Sequence, residues 1–184
     1  MSFIFERLSI RDVIAVRPER HLDDRGFFKE TFRHETFAEA GIDASFVQDN
    51  LTRSVRGVLR GLHYQLPPAA QGKLVGVVRG RIYDVAVDLR RGGPTFGKWV
   101  GRTLDVDTGE MLWIPPGFAH GYCILSETAD VFYKVTDYFA PDLSRGIRWD
   151  DPGLGIPWPV ANPVLSEADR RQPTFDRCEN TFRI

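Results

Sequence analysis

Gly57-Val58-Leu59-Arg60-Gly61-Leu62-His63-Tyr64-Gln65 is followed by Gln71-Gly72-Lys73 and then by Gly109-Glu110-Met111-Leu112-Trp113-Ile114-Pro115-Pro116-Gly117-Phe118-Ala119-His120-Gly121. The pattern puts Arg, Lys and two His on short apolar strands, where a charge is costly unless it faces a cavity. It therefore predicts an enclosed site that binds anions and moves protons. On either side, short apolar or alternating segments recur with Gly, Pro, Asp and Asn between them, which is the pattern of a strand-rich sandwich or barrel. Strands are expected over 13–16, 27–32, 46–50, 58–64, 74–79, 82–89, 99–104, 111–114, 121–125, 131–136 and 146–149. Helix is the minority: one short helix over 34–40 closed by Gly41, and another capped by Ser166 that contains Glu167, Ala168 and Asp169. From Tyr83, alternation groups Tyr83, Val85, Val87 and Leu89 on one face and Asp84, Ala86 and Asp88 on the other, so Asp84 can look into the pocket.

The 184 residues, 42% of them hydrophobic, suit a single domain spanning 1–184. From about residue 150 the chain turns Pro-rich and polar (Pro152, Pro157, Pro159, Pro163, Pro173), which predicts an irregular tail packed on the barrel rather than a second unit. With 24 basic and 25 acidic residues the formal net charge is -1, so no global field recruits nucleic acid or an anionic membrane, and anion specificity must be local. Cys123 and Cys178 are far apart and lack metal-type spacing, which suits a reducing compartment. Met1 to Ile10 carries Glu6 and Arg7 and does not read as a secretion signal. No run approaches the roughly 20 apolar residues needed to span a bilayer. The expectation is a cytoplasmic protein.

Gly109, Pro115, Gly117 and His120 have the spacing of the second conserved box of cupin barrels, so this segment resembles the turn and strand that place one His inside a jelly roll. A metal-binding cupin would add His-x-His and a later Glu. Here His63 is followed two positions on by Gln65, a poor ligand, so no metal is expected and His63 is free for acid–base work. Arg60 lies three positions before His63, on the opposite face of a regular strand. Sharing one pocket requires a bend or bulge near Gly61. By default Lys73 would be a solvated strand start and Tyr133 a strand aromatic; beside His63, Lys73 gains a functional reading, and Tyr133 could exchange a proton in a desolvated site. Asp169 could be a helix-surface charge or the partner that holds the tautomer of His63. Asp23 to Glu30 reads as a turn entering an edge strand, and Gln48, Asp49 and Asn50 end another strand.

Leu-Arg-Gly-Leu-His at 59–63 and Gly-Phe-Ala-His-Gly at 117–121 occur together with Asp24-Arg25-Gly26-Phe27-Phe28, Phe46-Val47-Gln48-Asp49-Asn50, Gln71-Gly72-Lys73-Leu74-Val75, Asp84-Val85-Ala86-Val87-Asp88, Pro94-Thr95-Phe96-Gly97 and Leu112-Trp113-Ile114-Pro115. In these segments the chain closely resembles the dTDP-4-dehydrorhamnose 3,5-epimerases of deoxysugar biosynthesis. The resemblance implies an all-β cupin jelly roll with a few short helices, forming a homodimer that acts on a dTDP-4-keto-6-deoxyhexose without metal or organic cofactor. It makes His63 the base, Asp169 its partner, Tyr133 the acid on the opposite sugar face and Lys73 the stabiliser of the enolate. His120 and Arg60 are placed at the substrate, and Arg25, Phe28, Glu30, Gln48, Asp49 and Asn50 at the nucleotide. Three departures stand out: Phe139 where the family often has a Tyr that stacks on thymine, Ser144 at an often acidic position, and Gly76 where a larger residue is expected. The implied activity is inversion at C3 and C5. The alternatives are a mono-epimerase of either carbon, a 3,4-ketoisomerase, a metal-dependent oxygenase and a non-catalytic nucleotide-sugar binding module.

Overall fold

The computed structural model describes residues 2–184. Its strands are β1 (Phe3–Arg7), β2 (Ile14–Pro18), β3 (Arg20–Asp23), β4 (Gly26–Lys29), β5 (Gln48–Val55), β6 (Leu59–Gln65), β7 (Lys73–Arg79), β8 (Arg81–Asp88), β9 (Trp99–Asp105), β10 (Met111–Ile114), β11 (Phe118–Ile124), β12 (Thr128–Val135) and β13 (Ser144–Gly146). Two short helices accompany them, α1 (His34–Glu39) and α2 (Glu167–Arg170). A six-stranded sheet in the order β1-β2-β10-β7-β12-β5 faces a five-stranded sheet in the order β13-β6-β11-β8-β9, and β3-β4 forms a separate hairpin. The all-β jelly-roll expectation is met. Every pairing of these strands is antiparallel.

Alternation along the strands distributes the apolar side chains into three layers. Between the sheets lie Val75, Val77, Ile82, Ala86, Leu104, Leu112, Ile114 and Val131, all nearly or fully buried. The outer face of the five-stranded sheet buries Leu62, Tyr64, Val85, Val87 and Leu89 beneath Ile147, Leu154, Cys178 and Phe182 of the C-terminal segment. Asp151 pins that segment by accepting the backbone N–H groups of Leu154 and Phe175. On the outer face of the other sheet, Phe37 of α1 and Ile42 cover Ile14, Leu74, Met111 and Trp113.

Several boundaries differ from the sequence expectation. β4 ends at Lys29 rather than 32, β13 is centred earlier than 146–149, and β1 and β3 were not anticipated. Most informative is β5, expected over 46–50 and observed over Gln48–Val55. Its alternation is inverted: Gln48, Asn50, Thr52 and Ser54 face inward, while Leu51 and Val55 are exposed. The inward polar row forms one wall of a cavity.

Candidate active site

The cavity opens between the sheets at one end of the sandwich. On one wall, β6 pairs with β11 so that His63 faces His120 and Arg60 faces Tyr122. Between those pairs β6 has two residues, Gly61 and Leu62, against the single Gly121 of β11. This is the bulge that the Arg60–His63 spacing demanded, and it turns both side chains to the same side. Glycine is required at its centre. Gly61 has φ +124°, and a Cβ there would lie 2.5 Å from the Gly121 Cα. The glycines of Arg-Gly-Leu-His and His-Gly thus permit the close approach that aims Arg60, His63 and His120 into one space.

His63 is joined through Nε2 to Asp169 Oδ1 at 2.5 Å. Asp169 sits in α2, and Ser166 at the N-cap orients it: the Ser166 hydroxyl donates to Asp169 Oδ2 at 2.7 Å and accepts the Asp169 N–H at 3.1 Å. Burial disfavours ionisation of Asp169, yet the hydrogen bonds from His63 and Ser166 and the charge of Arg60 hold its carboxyl below the usual range. An ionised Asp169 accepts the Nε2 proton of His63 and leaves the Nδ1 lone pair for a substrate.

A second pair lies deeper. His120 is joined through Nε2 to Asp84 Oδ2 at 2.9 Å, with side-chain exposures of 6% and 0%. Burial lowers the pKa of His120 against the opposing pull of Asp84, so its imidazole stays neutral at neutral pH. Across the cavity, Lys73 is not the solvated strand start of its default reading. β7 is flanked by β10 and β12, and Lys73 is 8% exposed. Burial depresses its pKa to about 8 against the attraction of Asp84, and its ammonium donates to the His63 carbonyl at 3.3 Å.

Thr52, Arg60, His63, Lys73, His120, Tyr122 and Tyr133 line the inner cavity of about 130 Å³. Burial raises the pKa of Tyr133 against the charge of Arg60, which keeps the phenol protonated at neutral pH. The Tyr122 hydroxyl is bonded to that of Thr52 at 2.8 Å, and burial pushes its pKa up to about 12. The Arg60 guanidinium donates to Ser54 Oγ at 3.1 Å.

An outer cleft of about 310 Å³ shares His63, Lys73 and Tyr133 and adds Gln71, Phe139, Ser144, Ala168 and Gln172. Phe139 is 58% exposed at this mouth, on a loop held from both sides. Gln48 Oε1 accepts the Phe139 N–H at 3.0 Å, and Gln65 accepts from Ala140 N while donating to the Ala69 and Tyr138 carbonyls. The amide at the former metal-box position is therefore committed to loop structure. Among the described residues, no three His, Cys, Asp or Glu side chains cluster in a way that could hold a metal ion.

The structure gathers His63, Asp169, Lys73, Tyr133, Arg60 and His120 around this space, with Phe139 at its mouth and Gln48 and Asn50 on the inward face of β5. It does not gather the rest. Asp49 alternates to the outer face of β5 and pairs with Lys134 at 2.7 Å. The Gln48-Asp49-Asn50 triplet, taken as a unit in sequence, is split by the period of the strand. Arg25 and Phe28 line a separate surface pocket on the β3–β4 hairpin, and Glu30 is bonded to Arg33. Phe28 also lines a groove with Val77 and Val78, at the end of β7 remote from Lys73 by four or five residues, about 13–17 Å. Gly76 faces away from the cavity, where a Cβ would meet the Phe132 ring at 2.5 Å. Residues missed in sequence include Thr52, Ser54 and Tyr122. The first two were hidden by the inverted alternation of β5.

The model of the family described as dTDP-4-dehydrorhamnose 3,5-epimerase matches residues 7–177. The chain is 55% identical over 171 residues to the dTDP-4-dehydrorhamnose 3,5-epimerase of Pseudomonas aeruginosa, covering 92% of this chain and 94% of that one. Among solved structures, a dTDP-6-deoxy-D-glucose-3,5-epimerase from Legionella pneumophila in complex with dTDP-4-keto-L-rhamnose superposes with a TM-score of 0.93 at 44% identity, covering 96% of this chain and 94% of the other. A dTDP-4-dehydrorhamnose 3,5-epimerase from Bacillus anthracis with TDP and PPi bound gives a TM-score of 0.92 at 43% identity, covering 94% and 99%. With a continuous match over nearly its whole length and the same β-sandwich, this chain belongs to the dTDP-4-dehydrorhamnose 3,5-epimerase family.

Proposed function

We propose that this chain converts dTDP-4-dehydro-6-deoxy-D-glucose to dTDP-4-dehydro-L-rhamnose by inverting C3 and C5, with His63 as base and Tyr133 as acid. The observation that carries this reading is one cavity holding an imidazole backed by an ionised carboxylate, a protonated phenol and a buried ammonium. Hydrogens at C3 and C5 flank the C4 ketone, so removing either leaves an enolate whose oxygen needs a positive partner. Lys73 supplies that charge, His63 Nδ1 takes the proton, and Tyr133 returns one from the opposite face of the ring. The same set serves both carbons in turn, because each is adjacent to the same carbonyl. Phe139 offers a stacking surface at the mouth for the thymine. The test is incubation of the ketone in D2O: deuterium at both C3 and C5 in an inverted product is expected, label at one carbon would indicate a mono-epimerase, and absence of label would defeat the reading.

The active form in this reading is a homodimer. Leu22, Phe27, Phe28 and Val78 are at least half exposed on and beside the hairpin, and Leu51 and Val55 project from the edge strand β5. Since Arg25 and Phe28 sit far from the cavity of their own chain, a nucleotide role for them requires a second copy. Sedimentation of the wild type as a dimer, and of a Phe27→Ser, Phe28→Ser variant as a monomer, is the expected result. Both cysteines are free and buried, which fits action in the cytoplasm, where a reducing environment keeps thiols unpaired.

A further inference from the structure

Behind His120, which lines the cavity, lies a carboxylate that none of the steps above uses. Asp84 of β8 has 0% side-chain exposure, and while Oδ2 bonds His120, Oδ1 is buried with no hydrogen-bond partner. Burying a carboxylate with one oxygen unpaired costs several kcal/mol unless a positive charge compensates. His120 does not provide one, since burial holds it neutral. The charged and titratable groups facing Asp84 are Lys73 from β7, His120 and Tyr122 from β11, and Arg102, its register partner on β9. Arg102 is committed to Glu110 and Glu6, and Tyr122 is a protonated phenol bonded to Thr52. Of the two cations that line the cavity, Arg60 donates to Ser54 and acts on Asp169, and Lys73 is the one that Asp84 attracts.

We propose that Asp84 is a positioning residue for the enolate side of the reaction: Oδ2 fixes the tautomer of His120, and the carboxylate charge anchors the Lys73 ammonium from across the cavity. The proposal rests on the epimerase reading for its rate measurement, but not for its titration measurement. Without the carboxylate, the buried ammonium loses a nearby counter-charge, and the cationic form persists only up to a lower pH. The depressed pKa of Lys73, about 8 with Asp84 in place, already lies near the working range, so a further fall of about one unit removes about half of the charge at neutral pH.

The experiment compares wild type, Asp84→Asn and Asp84→Glu. In D84N, the alkaline limb of the kcat–pH profile should move down by about one unit, so that kcat at pH 7.5 falls about 3-fold with KM nearly unchanged. D84E, which keeps the charge, should restore the position of the limb. The ¹⁵N resonance of the Lys73 ammonium, titrated without substrate, should shift in the same direction in D84N, and this readout stands even if the substrate proves to be different. A uniform loss of rate in D84N with the limb and the Lys73 titration unmoved would overturn the proposal by reducing Asp84 to a structural role. Should D84N not fold, Asp84→Ser serves as the charge-free variant: a limb and a Lys73 titration moved down sustain the proposal, and both unmoved overturn it.

Discussion

Two histidine–aspartate pairs sit side by side, since His63 and His120 are register partners on β6 and β11, yet their surroundings are opposite. The His63 side chain is 42% exposed and backed by an acid on a capped helix. The His120 side chain is 6% exposed and backed by an acid on the neighbouring strand β8 of the same sheet. Identical residue types at hydrogen-bond distance therefore do different work. At the mouth, the imidazole is open to a substrate, as the proposed proton carrier must be; deeper in, burial holds the imidazole neutral and shuts its partner away from solvent. Position in the sandwich, rather than the pair itself, assigns the role.

The largest effect should come from breaking the mouth pair at its base. His63→Asn should lower kcat by about 10³-fold or more, within or beyond the 10²- to 10⁴-fold typical of positioned acid–base groups, with the KM little changed. Steady-state rates and a dTDP binding isotherm check this. Lys73→Met, which removes the cation between the pairs, should cost about 10²- to 10³-fold in kcat, as loss of an oxyanion stabiliser does. The same variant should be more stable than wild type. The folded-state pKa of about 8 lies below the unfolded 10.5, so the unfolded chain binds more protons across that window and wild-type stability rises with pH through it. At pH 7 the buried charge opposes folding, and its removal should stabilise by on the order of 3 kcal/mol in denaturant titrations. A destabilised K73M would contradict the cost assigned to that charge.

Asp169→Asn leaves the imidazole in place but removes the ionised acceptor, and should lower kcat by roughly 10- to 100-fold. At the cleft mouth, beyond both pairs, Phe139→Ala should raise KM about 3- to 10-fold by removing a stacking surface worth about 0.5–1.5 kcal/mol, with kcat preserved. A kcat loss there matching that of H63N would erase the distinction between mouth chemistry and nucleotide holding.

Much of this site is legible in the sequence because its cations and imidazoles interrupt apolar strands, and Ser166 announces the helix that carries Asp169. Arg60 and His63 are readable as neighbours only through a bulge near Gly61. What failed to read has a common physical cause. On β5 the polar row faces the cavity and Leu51 and Val55 face outward, so a rule equating apolar with inward assigns the wrong face, hides Thr52 and Ser54, and admits Asp49. The hairpin β3–β4 reads as a simple edge because its aromatic residues are exposed within one chain. Asp84 was placed on the correct face by alternation, but its unpaired oxygen is a property of packing that no spacing encodes.

The most direct test of His63 and Tyr133 as groups on opposite sugar faces is deuterium exchange by Tyr133→Phe in D2O, followed by NMR of the recovered sugar. With the base intact and the opposing acid gone, exchange at C3 or C5 should continue with retained configuration, while H63N abolishes exchange altogether. Inversion by Y133F at the wild-type rate would contradict the assignment.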